Sequence, residues 1–356
     1  MKPVYTLIIG LLLLSQSHEQ EKRTNVRGIY GSAAPFWDQG LNLDDLGVNA
    51  IFVHGASLSQ GILDRARTER ARVFAEFPML NGKGYVENHP EAWPINETGE
   101  KAASASWFMG VCPTDHDFRR HRAEQLRKLL RTFQVDGVWI DYVHWHAQFE
   151  EPEPILPETC FCERCLAEFQ AATHLHIPGG KTSEKSAWIL LHHDREWRDW
   201  RCSVIADWAR QLKAILHQER PGALFGMFHC PWNDEEFNGA RRRILGIDYD
   251  TLKSVVDVFS PMLYHRRMGR SPEWVKENLE WFCKRLDARP GEVPAVWPIV
   301  QAYDDPVPIS PEEFEKVLSY GLSAGSTGVM MFTSVAVAAN AGKIETMKRF
   351  YSGMRN

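Results

Sequence analysis

Asp141 closes the apolar run "VDGVWIDY". A carboxylate at the end of such a run is costly unless it is bonded or used. Cleavage of a glycosidic bond uses two carboxyl groups flanking it: one protonates the leaving oxygen, and the other attacks or activates water. Asp141 is therefore the first candidate, as nucleophile or base. Its alternative role is an orienting hydrogen bond to nearby backbone. "HCPWNDEEF" offers Asp234 and Glu235 as the partner acid, and "RVFAEF" offers Glu76, which alternation puts on the same strand face as Phe74. His54, His144, Trp145, His229, Trp232, Tyr264, His265 and Gln301 stand at or just past the ends of other apolar runs. Such polar and aromatic groups suit hydroxyl recognition and ring stacking. The histidines would alternatively suit a catalytic metal, with His144 and His146 the nearest pair.

A second cluster is made of thiols. "CFCERC" places Cys160, Cys162 and Cys165 in a C-x-C-x-x-C spacing. A Cys160–Cys162 disulfide would close a strained ring, whereas three thiolates and a fourth satisfy tetrahedral zinc. Cys112, in "GVCPTDHDFRRH", is the best fourth ligand. Disulfide pairing is the rival reading. A site closed by four thiolates is structural and leaves no position for water. Cys202, Cys230 and Cys283 fall in helix or strand patterns and read as buried free thiols.

These groups need a frame. "RGIYGS", "GVNAIFVHG", "RVFAEFP", "VDGVWIDY", "ALFGMFHCPW", "VDVFSPMLYH", "PAVWPIVQAY" and "TGVMMFTS" read as eight short strands, apolar enough for a buried parallel sheet. Amphipathic stretches separate most of them. "DFRRHRAEQLRKLLRTF" follows strand three, "WRDWRCSVIADWARQLKAILHQE" precedes strand five, and "SPEWVKENLEWFCKRL" follows strand six. "SPEEFEKVLSYGLSAG" follows strand seven, with Ser310 as N-cap and Pro311 in the first turn. A last helix is expected from about 342 to 351. The alternation predicts an α/β chain, a single (β/α)8 TIM barrel with long loops after strands three and four. Loops that follow strands lie on the face where barrel enzymes place their chemistry.

The chain has 356 residues, 44% hydrophobic and 24% charged, with a net charge of −5. No basic stripe marks a nucleic-acid partner. The 13 Trp residues are numerous enough to supply stacking faces as well as core. An apolar run from Val4 to Leu14 follows Lys2, with Ser15 and Ser17 after it; it is too short to span a bilayer. Residues 1–17 are expected to be a signal peptide, 18–356 the barrel, and the mature protein secreted or periplasmic, without stable membrane insertion.

The Cys112 position together with "CFCERCLAEF" resembles the zinc cluster of glycoside hydrolase family 42 β-galactosidases, and "DGVWIDY" and "DVFSPMLYH" resemble glycosyl-hydrolase-like barrels. The resemblance implies a glycan-processing barrel with structural zinc at Cys112, Cys160, Cys162 and Cys165, and an oligo- or polysaccharide substrate. Two departures stand out. Family 42 enzymes carry an Asn-Glu pair at the end of strand four and a Glu nucleophile on strand seven; this chain has "IDYVHW" and "VQAYDD" there. "DGVWID" also resembles strand four of retaining barrel hydrolases with an Asp nucleophile and of chitinase-like barrels, but Val143 stands where the latter carry their catalytic Glu. The leading expectation is an exported glycoside hydrolase. The others are a non-catalytic carbohydrate-binding barrel and a metal-dependent hydrolase built on the strand-end histidines.

Overall fold

Short runs rich in Val, Ile and Phe, each unable to bury both faces alone, form the parallel staves of one closed barrel. The computed structural model describes residues 25–354; the expected signal peptide lies outside them. The strands are β1 (Val26–Tyr30), β2 (Ala50–His54), β3 (Arg72–Pro78), β4 (Gly137–Asp141), β5 (Leu224–His229), β6 (Val258–Leu263), β7 (Ala295–Val296), β8 (Ile299–Gln301) and β9 (Gly328–Phe332). Their hydrogen-bonded order runs β5-β4-β3-β2-β1-β9-β8-β6-β7, and β5 also pairs with β6, which closes the ring. β7 and β8 are two pieces of one stave, both paired with β6. The break falls at Trp297 and Pro298, and proline has no N–H for a ladder.

Alternation along the strands fills the interior with rings. Phe52 and Phe74 stack with centroids 4.9 Å apart. Trp139 lies 5.5 Å from Trp297, nearly parallel, and its Nε1 donates to Ser260 Oγ at 3.0 Å. Trp139 fits because β5 carries Gly226 opposite it: a Cβ there would sit 2.1 Å from the indole.

The principal helices are α1 (Gln60–Thr68), α2 (His116–Thr132), α3 (Glu163–Thr173), α4 (Thr182–His192), α5 (Asp194–Glu219), α6 (Pro272–Leu286), α7 (Pro311–Gly321) and α8 (Ala341–Gly353). Ser310 caps α7 as expected by accepting from the Glu313 N–H, and Asp115 caps α2 by accepting from Phe118. α7 stops at Gly321, short of the expected end near 325, where Ala324 and Gly325 take left-handed backbone. Among the described residues, no helix is long and apolar enough to cross a membrane. The long segments after β3 and β4 lie on the C-terminal face of the barrel and carry the four clustered cysteines, His144 and Trp145.

Candidate active site

The period of two places every second residue of a stave inside the barrel. In β3 the inward pair is Phe74 and Glu76, and in β4 it is Trp139 and Asp141. The first of each pair joins the ring-packed interior, and the second reaches the mouth. Glu76 is 1% exposed. Tyr30 Oη, from β1, donates to its Oε2 at 3.0 Å, and His54 Nε2, from β2, lies 3.9 Å from the same oxygen. Burial pushes Glu76 up to about 7, while the Tyr30 hydrogen bond and the Arg122 guanidinium of α2 pull the other way.

Asp141 is raised well above the ordinary aspartate range, first by burial and next by the negative charge of Glu76. The N–H of Tyr142 donates to its Oδ1 at 2.7 Å. Tyr142 itself takes φ +52°, a left-handed backbone that side chains other than glycine adopt at a cost of about 1–3 kcal/mol. The turn swings its ring out over the mouth, parallel to Phe108 at 5.5 Å.

Asp141 and Tyr142 line a narrow cleft of about 250 Å³, counting the part open to solvent. Trp107, Phe108, His144, Gln148, Phe149 and Glu150 also line it. Gln148 and Ile155 exchange both backbone hydrogen bonds at 2.9 Å, which closes a tight loop bearing Glu150. Arg267 braces that loop by bonding Glu151 at 2.9 Å, and Asp305 holds the same guanidinium at 2.8 Å. Burial, and then the charge of Asp141, push Glu150 up to about 7; Arg267 opposes them. Glu150 was not among the acids expected from the sequence. "HAQFEEPEP" reads as a polar loop with several acids, and nothing in it marks which one turns inward. Trp107 and Phe108 were likewise not singled out.

Of the residues named from the sequence, Glu76, Asp141, His54, His144 and Tyr264 are brought to the mouth or its wall. Burial holds His144 down at about 4, so it is a neutral group at pH 7, with Nδ1 bonded to the Trp145 carbonyl at 2.8 Å. Tyr264 is buried, 5.2 Å from Phe332, and the charges of Glu150 and Asp141 bear on its phenol. Trp232 stands behind the cleft, with its ring 6.1 Å from Phe149.

The others are not brought there. Asp234 is ion-paired with Arg241 and Arg285, and Glu235 is exposed on the surface beside it. Trp145 is fully buried and donates to the Arg201 carbonyl at 3.1 Å. His229 is buried against Tyr249, His265 bonds Glu313 at 2.8 Å, and the Gln301 amide holds the Tyr303 and Asp305 carbonyls. These residues follow strand ends, but the chain there turns outward or into the helical layer. The strand-end histidines therefore do not gather. Among the described residues the four cysteines are the one group of three or more such side chains set closely enough to share a metal ion.

In that group, Cys112 from the segment after β3 meets Cys160, Cys162 and Cys165 from the segment after β4, with the four Sγ atoms within 4.8 Å of one another. All are free thiols. Cys112 Sγ lies 3.4 Å from Cys165 Sγ and 3.8 Å from Cys162 Sγ. A tetrahedron with Zn–S bonds of ~2.3 Å has S···S edges of about 3.8 Å. Two backbone N–H groups point at sulfur, Ile95 at Cys160 (3.2 Å) and Cys165 at Cys162 (3.4 Å). Arg164 stands alongside, its guanidinium acted on by the charge of Cys112 and Cys162. Donors and a cation around four sulfurs suit thiolates, so the residues fit a bound metal.

No protein-family profile matches the chain, and no curated protein matches it. Solved structures do. The glycoside hydrolase domain of PgaB (BpsB) from Bordetella bronchiseptica superposes with a TM-score of 0.67 at 14% identity, over 89% of this chain and 92% of that one. The likeness is one of fold. A β-galactosidase from Marinomonas ef1 gives 0.65 at 10% identity, over 91% of this chain and 58% of its own. A catalytic mutant of a family 42 β-galactosidase from G. stearothermophilus gives 0.59 at 11% identity, over 92% and 56%. The chain thus spans little more than half the length of the β-galactosidase chains it resembles.

Proposed function

We propose that the chain is a glycoside hydrolase whose reacting groups are Asp141 and Glu150. The observation that carries this reading is the pair of partly buried carboxyl groups lining one cleft at the barrel mouth, both raised by burial, with Asp141 raised further by Glu76 and Glu150 by Asp141. Glycosidic cleavage needs one protonated and one ionised carboxyl group. Burial and Glu76 favour the proton on Asp141; Arg267 favours charge on Glu150. Asp141 is therefore assigned the proton donor in the resting enzyme, the reverse of the nucleophile-or-base role expected from the sequence. Glu150 is assigned nucleophile or base. Glu76 is a positioning residue: fixed by Tyr30 and His54, it keeps Asp141 protonated. Trp107, Phe108 and Tyr142 supply aromatic surface for a sugar ring, and His144 a neutral hydrogen-bonding group. The fold shared with the B. bronchiseptica glycoside hydrolase domain and with β-galactosidases supports the carbohydrate class. The same reading makes the cysteine group a zinc site. Zinc there would tie two loops together, and no reaction step passes through it. Export by the N-terminal apolar run completes the proposal.

The test is product release from a panel of soluble glycans by the protein and by Asp141→Asn. Release of new reducing ends by the unaltered chain, lost in the variant while its melting temperature and zinc content persist, is the expected result. Retained turnover in Asp141→Asn removes the assignment. Binding without release by the unaltered chain would establish a carbohydrate-binding barrel instead.

A further inference from the structure

A larger hollow lies beside the cleft and takes no part in the reaction proposed above. It encloses about 600 Å³, against about 250 Å³ for the cleft, with the open space counted in both. Its lining comes from the segment after β5 (Asn233, Glu236), from Arg270 after β6, and from one face of α6: Trp274, Asn278 and Trp281, with Glu277 at the edge. Residues 274, 278 and 281 are four and three apart, so one helical face presents two indoles with an amide between them.

Three observations make this more than a crevice. First, both indoles are only half-buried and line the same hollow. Second, the polar groups are held in place. Arg270 donates to Glu236 Oε1 at 2.8 Å and lies 5.9 Å from the Trp274 ring; Glu236 Oε2 accepts from the Asn233 N–H at 2.8 Å. Third, Asn278 is 6% exposed, and its Nδ2 donates to the Pro231 carbonyl at 2.7 Å, but its Oδ1 has no partner. A buried acceptor left unbonded costs about 1–3 kcal/mol, which a ligand hydroxyl or a water it orders can recover.

Pro231, Trp232 and Asn233 connect the two sites. Pro231 fixes Asn278, Trp232 packs on the cleft residue Phe149, and Asn233 lines the hollow. We infer that the hollow is a second carbohydrate-binding site, and that it holds a further part of the same uncharged glycan chain whose cleavage is proposed at Asp141. The inference rests on that reading for its ligand. Stacking faces and fixed amide, carboxylate and guanidinium groups are the chemistry that recognises vicinal hydroxyls. An acidic glycan is excluded because Arg270 is already paired, and Glu277 adds negative charge at the rim.

Affinity electrophoresis in native gels tests it, using Asp141→Asn protein so that nothing is consumed. The gels contain soluble galactan, mixed-linkage glucan or polygalacturonate. Retardation by galactan or glucan is expected, with affinity about five- to tenfold lower when Trp274→Ala is added. Glu277→Arg, at an exposed position on α6, blocks the hollow without touching the core and should weaken binding as well. Unchanged affinity in both variants, no retardation by either neutral polymer, or stronger retardation by polygalacturonate would overturn the inference. Failure of the glycosidase reading looks different: galactan and glucan retard the protein, yet the chain with Asp141 intact releases no product from them.

Discussion

Two clusters of acidic groups lie on β3, β4 and the segments that follow them, and they meet like charge in different settings. At Cys112, Cys160, Cys162 and Cys165, four sulfurs converge with backbone donors and Arg164 around them, a setting that favours four negative charges about one cation. At Glu76, Asp141 and Glu150, three carboxyl groups converge with little to neutralise them: one tyrosine hydroxyl, one backbone N–H, and the guanidinium charges of Arg122 and Arg267. Burial raises Cys160 and Cys165, so the proposed zinc is what would draw off the protons and make the cluster a brace. Burial and like charge strengthen the carboxyls' hold on their protons, at a cost in stability, and in the proposed reaction Asp141 keeps its proton while Glu150 works ionised. The difference fits the proposed division, with the thiols serving the fold and the carboxyls the chemistry, and each can be broken separately.

The largest effect should come from the carboxyl side. Glu150→Gln is expected to lower kcat/KM by about 10²–10⁴-fold, measured on whichever glycan the unaltered protein cleaves. Asp234→Asn, which loosens a surface ion-pair cluster with Arg241 and Arg285, should leave the rate nearly unchanged. If the two variants exchange these outcomes, the loop after β5 holds the partner acid and Glu150 does not. On the thiol side, Cys165→Ser should release the metal and lower stability by about 3 kcal/mol. Elemental analysis and chemical denaturation check this. The barrel should remain folded, because β3 and β4 are paired on both sides within the closed sheet. A variant that keeps stoichiometric zinc would show that Cys165 is not a ligand.

Glu76→Gln sharpens the comparison further by removing one like charge and leaving the other two acids. Glu76 is one of two causes that hold the Asp141 proton, the larger being burial. Without it the Asp141 pKa falls, so the alkaline limb of the pH–rate profile should move to lower pH by about one unit. A purely structural role for Glu76 would depress the rate evenly and leave the limb where it is.

The two clusters also differ in how far they were legible. Three of the four thiols fall within six residues, and Cys112 stood out because its loop after β3 neighbours theirs after β4, while the other cysteines fall in helix or strand patterns. Asp141 and Glu76 could be read because strands impose a period of two, and an acid at an inward position at a stave's end is conspicuous. The eight staves were legible as short apolar runs rich in Val, Ile and Phe, but the break at Pro298 was not. Glu150 was not legible. Its inward turn depends on the Gln148–Ile155 pairing and on Arg267, more than 100 residues away in sequence. Asp234 carried the opposite error: it follows a stave as the pattern asked, but Arg241 and Arg285 hold it on the outside.

The smallest effect is the most direct measure of what the carboxyl cluster costs. The pKa of Glu150 is about 7 in the folded chain, against ~4.3 for an unperturbed glutamate. Between those values the native state binds the proton more tightly than the unfolded state does. Stability therefore declines as pH rises through that window, and above it the full penalty of holding the charge is felt. Glutamine has no charge to hold. Glu150→Gln should match the unaltered protein near pH 4 and exceed its stability above pH 8 by about 1–2 kcal/mol, a figure discounted because the side chain is not fully sealed from water. Denaturant midpoints of both proteins, taken at each pH and subtracted, cancel any change in metal loading common to the two. Cys165→Ser should destabilise at both pH values. A Glu150→Gln variant that is equally or less stable at pH 8 would mean that this carboxyl is comfortably solvated, and its raised hold on a proton would no longer support a place in the reaction.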